Sequence, residues 1–246
     1  MTELYNCLRD SGGKGAMVNV FLSFAGGEDK WFFCLRHLRA RVEETGIFDL
    51  VLDYTPDDLP AEFLLKHGAF IEENKRGYGY WIWKPYLILK QMERMNDGDR
   101  LLFLDAGCDL IVSEKAELVR LIELVKTDLI IGSLFPDKEC KWSKMDLISY
   151  LRMKNDEALN SYQYQGGVVL FYKCETTMRF LKEWYETCCF YHLLDDSPSF
   201  LPNDPLFCEH RHDQSVFSLL MKRYKIQSIW TLPGACIKIW ANPYRS

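Results

Sequence analysis

Asp105 stands where an apolar run, Leu101–Leu104, stops, and Ala106, Gly107 and Cys108 separate it from a second acid, Asp109. In an open α/β sheet, ligands bind in the crevice outside the carboxyl ends of the strands. An acid at such an end is placed to hold a metal ion or a polar ligand, or, more simply, to cap the helix that follows. Upstream, Lys84 lies between Trp83 and Pro85 in an aromatic stretch that includes Tyr78, Tyr80 and Trp81. Lysine offers a phosphate a compact point charge, and Tyr or Trp faces stack on flat or ring-shaped ligands. Trp81 and Trp83 could also be core anchors, with Lys84 at a helix start. Arg76 is a second candidate for phosphate. Further on, His210-Arg211-His212-Asp213-Gln214-Ser215 crowds titratable and amide groups before an apolar run. Asp213 has the chemistry of a general base, and His210 or His212 could give a ring nitrogen to a metal; the plain alternative is Asp213 as a helix N-cap. Gln165-Gly166-Gly167 leads an apolar run, where small residues allow close backbone approach or mark a bulge.

Alternating elements are needed to bring these groups together. Met17–Phe24 reads as a strand that ends at a glycine turn, and 28–45 as a helix with apolar residues three or four apart, capped by Gly46. Phe48–Tyr54 is a second strand and Ala61–His67 a short helix, with an irregular link over 68–76. A helix then runs from Lys84 to the Gly98-Asp99 turn, before the Leu101–Leu104 strand. Ser113 reads as the N-cap of a helix reaching Lys126. Strands are expected at 128–135, 168–172 and 226–230, and helices at 145–151, 175–191 and 216–224. Asn155–Tyr164 and the proline-rich Asp195–Cys208 read as loops, the latter a surface loop or lid. Strands alternating with helices predict an α/β class with a mostly parallel central sheet flanked by helices. Nothing splits the chain, so 1–246 reads as one domain, with a loosely ordered leader (1–16) and a C-terminal tail (231–246).

The net charge of −5 gives no basic field for a long nucleic acid, so an anionic ligand must be held locally. The nine cysteines are odd in number and include no C-x-x-C. Without a signal-like start they read as free thiols in a reducing compartment, and a soluble, cytoplasmic protein is expected. No stretch approaches about 18 uninterrupted apolar residues, so no transmembrane segment is expected.

The strings GYGYWIWKP, GDRLLFLDAGCDL, YQGG and HRHDQSVFS, in that order, resemble the GT-A fold nucleotide-sugar glycosyltransferases, and within them a small DAGC/HRHDQS-type group from large DNA viruses (chlorella-virus-like) and bacteria. The resemblance implies a Rossmann-like nucleotide-diphospho-sugar transferase fold. It implies a nucleotide-diphosphate donor, a UDP-sugar above all, with a glycan or glycoprotein acceptor and Mn²⁺ or Mg²⁺. Donor contacts then fall to Arg76, Tyr80, Trp83, Lys84, Asp105, Ala106, Gly107, Gln165 and Gly166, and catalysis to Asp213 and Gln214. The metal falls to Asp105, with Asp109, His210 or His212 supplying what a strict Asp-x-Asp would have supplied, since the third position here is Gly107. Asp213-Gln214 offers both an acid and an amide, which leaves retention and inversion open. A viral source would place the protein in the host cytoplasm. The missing second Asp also motivates the alternative of a non-catalytic nucleotide-sugar or carbohydrate-binding module.

Overall fold

The computed structural model describes residues 17–154, 156–226, 229–230 and 236–239. The expected leader and most of the expected tail lie outside them. Six strands form one sheet: β1 (Asn19–Phe24), β2 (Leu50–Tyr54), β3 (Arg100–Leu104), β5 (Ile130–Lys138), β6 (Tyr162–Tyr172) and β7 (Ile229–Trp230), in the order β2-β1-β3-β6-β5-β7. β6 runs antiparallel to both its neighbours, and the other pairings are parallel. A short β4 (Cys108–Leu110) pairs with β8 (Ile237–Ile239). The expected α/β class with a mostly parallel sheet is therefore what the chain forms.

Successive side chains on a strand point to opposite faces, and the core divides accordingly. Val20, Leu22, Leu101, Phe103, Val169 and Phe171 fill one face, together with helices α2 (Ala61–Glu73), α3 (Trp83–Arg94), α6 (Glu175–Cys188) and α7 (His212–Arg223). Phe21, Leu102, Leu104, Val168 and Leu170 fill the other, under α1 (Asp29–Thr45) and α4 (Lys115–Asp128). The five residues of β3 are all buried, as a strand covered on both faces requires.

Several boundaries differ from expectation. α2 continues to Glu73 through the presumed irregular link, because Phe63, His67, Phe70 and Ile71 form a buried stripe at helical spacing. Ser113 sits in a 3₁₀ turn and makes no cap; α4 starts at Lys115. β6 begins at Tyr162, so Gln165-Gly166-Gly167 lies inside the strand rather than before it. The 195–208 loop is tied down: Asp146, on a short helix α5 (Met145–Tyr150), accepts hydrogen bonds from the backbone N–H groups of Phe200 (2.7 Å) and Leu201 (2.9 Å), and the Lys144 ammonium donates to the Asp195 carbonyl (3.1 Å). Among the described residues, no helix is long and apolar enough to cross a membrane.

Candidate active site

The site begins with an unusual turn. Gly77, Tyr78, Gly79, Tyr80 and Trp81 all have positive φ, from 51° to 82°. Non-glycine residues pay for that geometry, and the packing around the turn explains why it holds. Trp83 donates from Nε1 to the Gly77 carbonyl (3.0 Å) and stacks on Phe24 at 4.1 Å, while Tyr80 and Trp81 lie against His212 (4.6 and 5.5 Å). The turn launches α3 with Lys84 and Pro85 in its first turn, where a proline costs no helical hydrogen bond.

Lys84 is consequently driven under the carboxyl end of the sheet. It is 2% exposed, and its Nζ lies 3.1 Å from Asp105 Oδ1 and 3.0 Å from Asp213 Oδ2. Burial opposes the ammonium charge, but the Asp105 and Asp213 carboxylates outweigh it and hold the Lys84 pKa above its ordinary value. One ammonium cannot neutralise two carboxylates. Asp105 keeps a side-chain exposure of 38% whereas Asp213 is enclosed, so the strain falls on Asp213. Burial pushes the Asp213 carboxyl up to about 6; Lys84 opposes the rise and Asp105 adds to it. The close approach of Lys84 to Asp213 Oδ2 is an ion pair off the hydrogen-bonding direction, and that buried oxygen accepts no hydrogen bond.

β6 supplies the floor. Gly167 accepts the Asp105 N–H (2.8 Å), and a Cβ at Gly167 would lie 2.3 Å from Asp105 Oδ2. At Gly166 a Cβ would meet Gln214 Cα at 3.3 Å and Asp213 Oδ2 at 3.4 Å. The Gly166 N–H donates to Gln214 Oε1 (3.2 Å), while Gln214 Nε2 donates to Gln163 Oε1 (2.7 Å), so the catalytic candidate Gln214 is clamped at both ends. Gln165 accepts from Ser133 Oγ (2.6 Å). Trp184 donates to the Asp213 carbonyl (3.0 Å) and fixes the start of α7.

Two hollows meet at this cluster. A cleft of about 980 Å³ is walled by Trp31, Tyr78, Trp81 and Trp83, with Gly26, Gly27, Lys75, Arg76, Asp105–Cys108, Gln165, Gly167 and Gln214. A pocket of about 250 Å³ shares Arg76, Trp81, Asp105 and Gln214 with it and adds Lys84, Glu209, Arg211, His212 and Asp213. The arrangement thus joins aromatic walls, cationic groups, a fixed amide and a near-neutral-pKa acid.

Most of the expected residues come together here: Arg76, Trp83, Lys84, Asp105, Ala106, Gly107, Gln165, Gly166, Asp213 and Gln214. Tyr80 is placed behind, packed on His212, and Tyr78 faces the cleft instead. The expected metal partners of Asp105 do not converge on it. Asp109, on β4, turns to α1, with Oδ1 3.2 Å from His37 Nε2 and 3.9 Å from Arg41 Nε. His210 uses both ring nitrogens on backbone, Nδ1 accepting from Lys144 N–H (3.3 Å) and Nε2 donating to the Leu193 carbonyl (2.9 Å). His212 donates from Nδ1 to the Leu194 carbonyl (2.8 Å), and its Nε2 lies 3.7 Å from Asp196 Oδ1. Among the described residues, no three His, Cys, Asp or Glu side chains are grouped as a metal shell. Of the expected ligands, Asp105 lines both hollows and His212 the smaller one, and among the described residues these do not fit the expected multi-ligand Mn²⁺ or Mg²⁺ shell.

Trp31, Lys75, Glu209 and Arg211 line the hollows without having been assigned a role from sequence. Arg211 was part of the HRHDQS string; its guanidinium lies over Phe135 (4.1 Å) and Trp142 (3.8 Å). Trp31, in the first turn of α1 just after Gly26-Gly27, had the periodicity of a core residue and no other signal.

No protein-family profile matches the chain, and no curated protein sequence matches it. Solved structures similar to it include three glycosyltransferases. One is a glycosyltransferase involved in the glycosylation of the major capsid of PBCV-1 (14% identity, TM-score 0.39), matched over 69% of this chain and 65% of that one, so the chain spans just under two thirds of its length. Another is mouse xyloside xylosyltransferase 1 (12%, TM-score 0.45; 88% and 85% covered). A third is the galactosyltransferase LgtC, solved with donor and acceptor sugar analogs (15%, TM-score 0.41; 92% and 87% covered).

Proposed function

We propose that residues 1–246 form one glycosyltransferase domain that moves a sugar from a nucleotide-diphosphate sugar, a UDP-sugar first among them, to a glycan or glycoprotein acceptor. The observation that carries this reading is the Lys84 ammonium held between Asp105 and Asp213 where an aromatic-walled cleft meets a smaller polar pocket. The larger hollow suits the donor: Tyr78, Trp31 or Trp81 can stack on the base, and Lys75 and Arg76 can meet the diphosphate. The smaller hollow suits the acceptor hydroxyl. In the step, the bond from the anomeric carbon to the diphosphate oxygen breaks and its electron pair leaves with the nucleoside diphosphate. A new bond forms to the acceptor oxygen, whose proton passes to the Asp213 carboxylate. A carboxyl with a pKa near 6 is suited to that exchange near neutral pH. Gln214, clamped by Gly166 and Gln163, and Gln165 are positioned to hold the sugar. We place the protein in the cytoplasm, a reading supported by the free thiols of all its described cysteines.

The test is release of free nucleoside diphosphate from a panel of UDP-, GDP- and dTDP-sugars, alongside thermal shift with each, since a ligand of the folded state raises its melting temperature. One donor class is expected to stabilise the protein and to be turned over, with turnover lost in Asp213→Asn while the melt is kept. A donor that binds with neither transfer nor slow hydrolysis would instead make this a sugar-nucleotide-binding module.

A further inference from the structure

We infer that Lys84 stands in for the divalent cation, so that donor binding and transfer by this protein need no metal ion. The inference rests on the proposed reading of the cleft as a nucleotide-diphosphate-sugar site. In such a reaction a cation does two things: it relieves the repulsion between site carboxylates and the incoming diphosphate, and it stabilises charge that builds on the leaving oxygen. Both call for a positive charge beside Asp105, and the Lys84 ammonium already sits there, 3.1 Å from Oδ1, buried and bridged to Asp213. Its charge is fixed by those same carboxylates rather than borrowed from solution.

The ligand chemistry argues the same way. A hard cation such as Mg²⁺ takes oxygens in near-octahedral geometry and is usually held through one or two carboxylates plus substrate phosphates, and the carboxylate that would serve here, Asp105, is already paired with Lys84. Asp105 Oδ1 is spent on Lys84, and Oδ2 occupies the space that a Cβ at Gly167 would need, 2.3 Å from where that atom would lie. Asp109 is committed to α1, and both nitrogens of His210 are committed to backbone. The Cys108 thiol is buried and directed at the Gly167 carbonyl, 3.7 Å away, as a donor. The chain thus has a cation of its own beside Asp105, and among the described residues no three His, Cys, Asp or Glu side chains are grouped to hold a foreign one. The covalent step is unchanged: the anomeric carbon–oxygen bond breaks, the electron pair leaves on the diphosphate, and the acceptor's proton goes to Asp213. Only the charge that faces the diphosphate differs.

The experiment measures UDP binding by calorimetry, and UDP release from the donor, on protein stripped with EDTA, then with Mn²⁺ or Mg²⁺ restored. UDP affinity and turnover in EDTA are expected to lie within about twofold of their values with metal. In Lys84→Met both should fall on the order of a hundredfold in EDTA, and Mn²⁺ should restore part of the loss, because Asp105 and Asp213 then face each other with no cation between them. Lys84→Arg, which keeps the charge, should bind UDP in EDTA and serves if Lys84→Met does not fold. UDP bound only when Mn²⁺ or Mg²⁺ is present would overturn the inference and leave the glycosyltransferase reading standing. No binding of any nucleoside diphosphate in either condition would overturn the reading itself, and the inference with it.

Discussion

The sharpest structural prediction concerns two adjacent glycines that make different contacts. A Cβ added at Gly167 would lie 2.3 Å from Asp105 Oδ2 and 3.0 Å from its Cγ, about 1 Å short of ordinary contact. The backbone cannot yield easily, because Gly167 accepts the Asp105 N–H at 2.8 Å and the neighbouring Val168 is in register with Leu104. The Asp105 side chain must swing instead, and that breaks its 3.1 Å contact with Lys84. A buried ion pair broken from one side costs about 3–5 kcal/mol and an exposed pair about 0–1. With Asp105 more than a third exposed and Asp213 still in place, the cost in stability should be about 1–2 kcal/mol, a melting shift of a few degrees for a chain of this size. The loss in activity should be larger, since about 1 Å of misplacement of a site group costs on the order of a hundredfold. At Gly166 the new methyl would meet Gln214 Cα at 3.3 Å and Asp213 Oδ2 at 3.4 Å, which a shift of a few tenths of an ångström accommodates. Gly167→Ala should therefore lower kcat/KM for nucleoside-diphosphate release by about a hundredfold, and Gly166→Ala by less than about tenfold. Equal losses in the two variants, or a fully active Gly167→Ala, would refute the argument that Asp105 is held by the absence of a side chain at 167.

Two further predictions concern pH. If Asp213 takes the acceptor's proton, kcat/KM should fall about tenfold per pH unit below a limb near 6, set by the carboxyl that burial holds there; a profile flat from pH 5 to 8 would remove Asp213 from that role. Burial depresses the pKa of both His67, bonded to Tyr191 (2.8 Å) and Tyr185 (2.9 Å), and His212, each to about 4, so the unfolded chain takes up protons near pH 6.5 that the folded one refuses; urea melts should show stability intact above pH 6.5 and declining as pH falls towards 4, by at most about 3 kcal/mol per histidine, and no decline would contradict the buried neutral rings.

Much of this was readable from residue types. The apolar runs at 19–24 and 101–104 announce buried parallel strands, and a lysine among aromatics, an acid at a strand end and an acid-amide pair at a helix start are rare enough together to be noticed. What could not be read was direction. Asp109 is four residues from Asp105, yet it belongs to β4 and faces α1, so sequence proximity misled. His210 is satisfied by the backbone of residues 144 and 193, partners no local pattern reveals. The first half of β6 reads as a polar loop because Gln163 is buried among polar groups: its amide donates to Glu139 (3.0 Å) and reaches Ser143 (3.5 Å). The continuation of α2 through Gly68 was hidden by a residue that disfavours helices but that tertiary burial of Phe70 and Ile71 overrides.

The place of β6 in the sheet has a consequence for how the protein is made. β3 leaves the ribosome with one edge paired to β1, and its other partner, β6, follows some sixty residues later. Until it arrives, the nascent chain presents a strand apolar over Leu101–Leu104 with open hydrogen-bonding groups, and Lys84 and Asp105 wait without Asp213. Such an edge is a template for pairing with the wrong chain, and the non-local closure makes it long-lived. Synthesis rate across residues 105–162, or a holdase bound there, should therefore govern the yield of soluble protein more than changes at the surface of the finished fold.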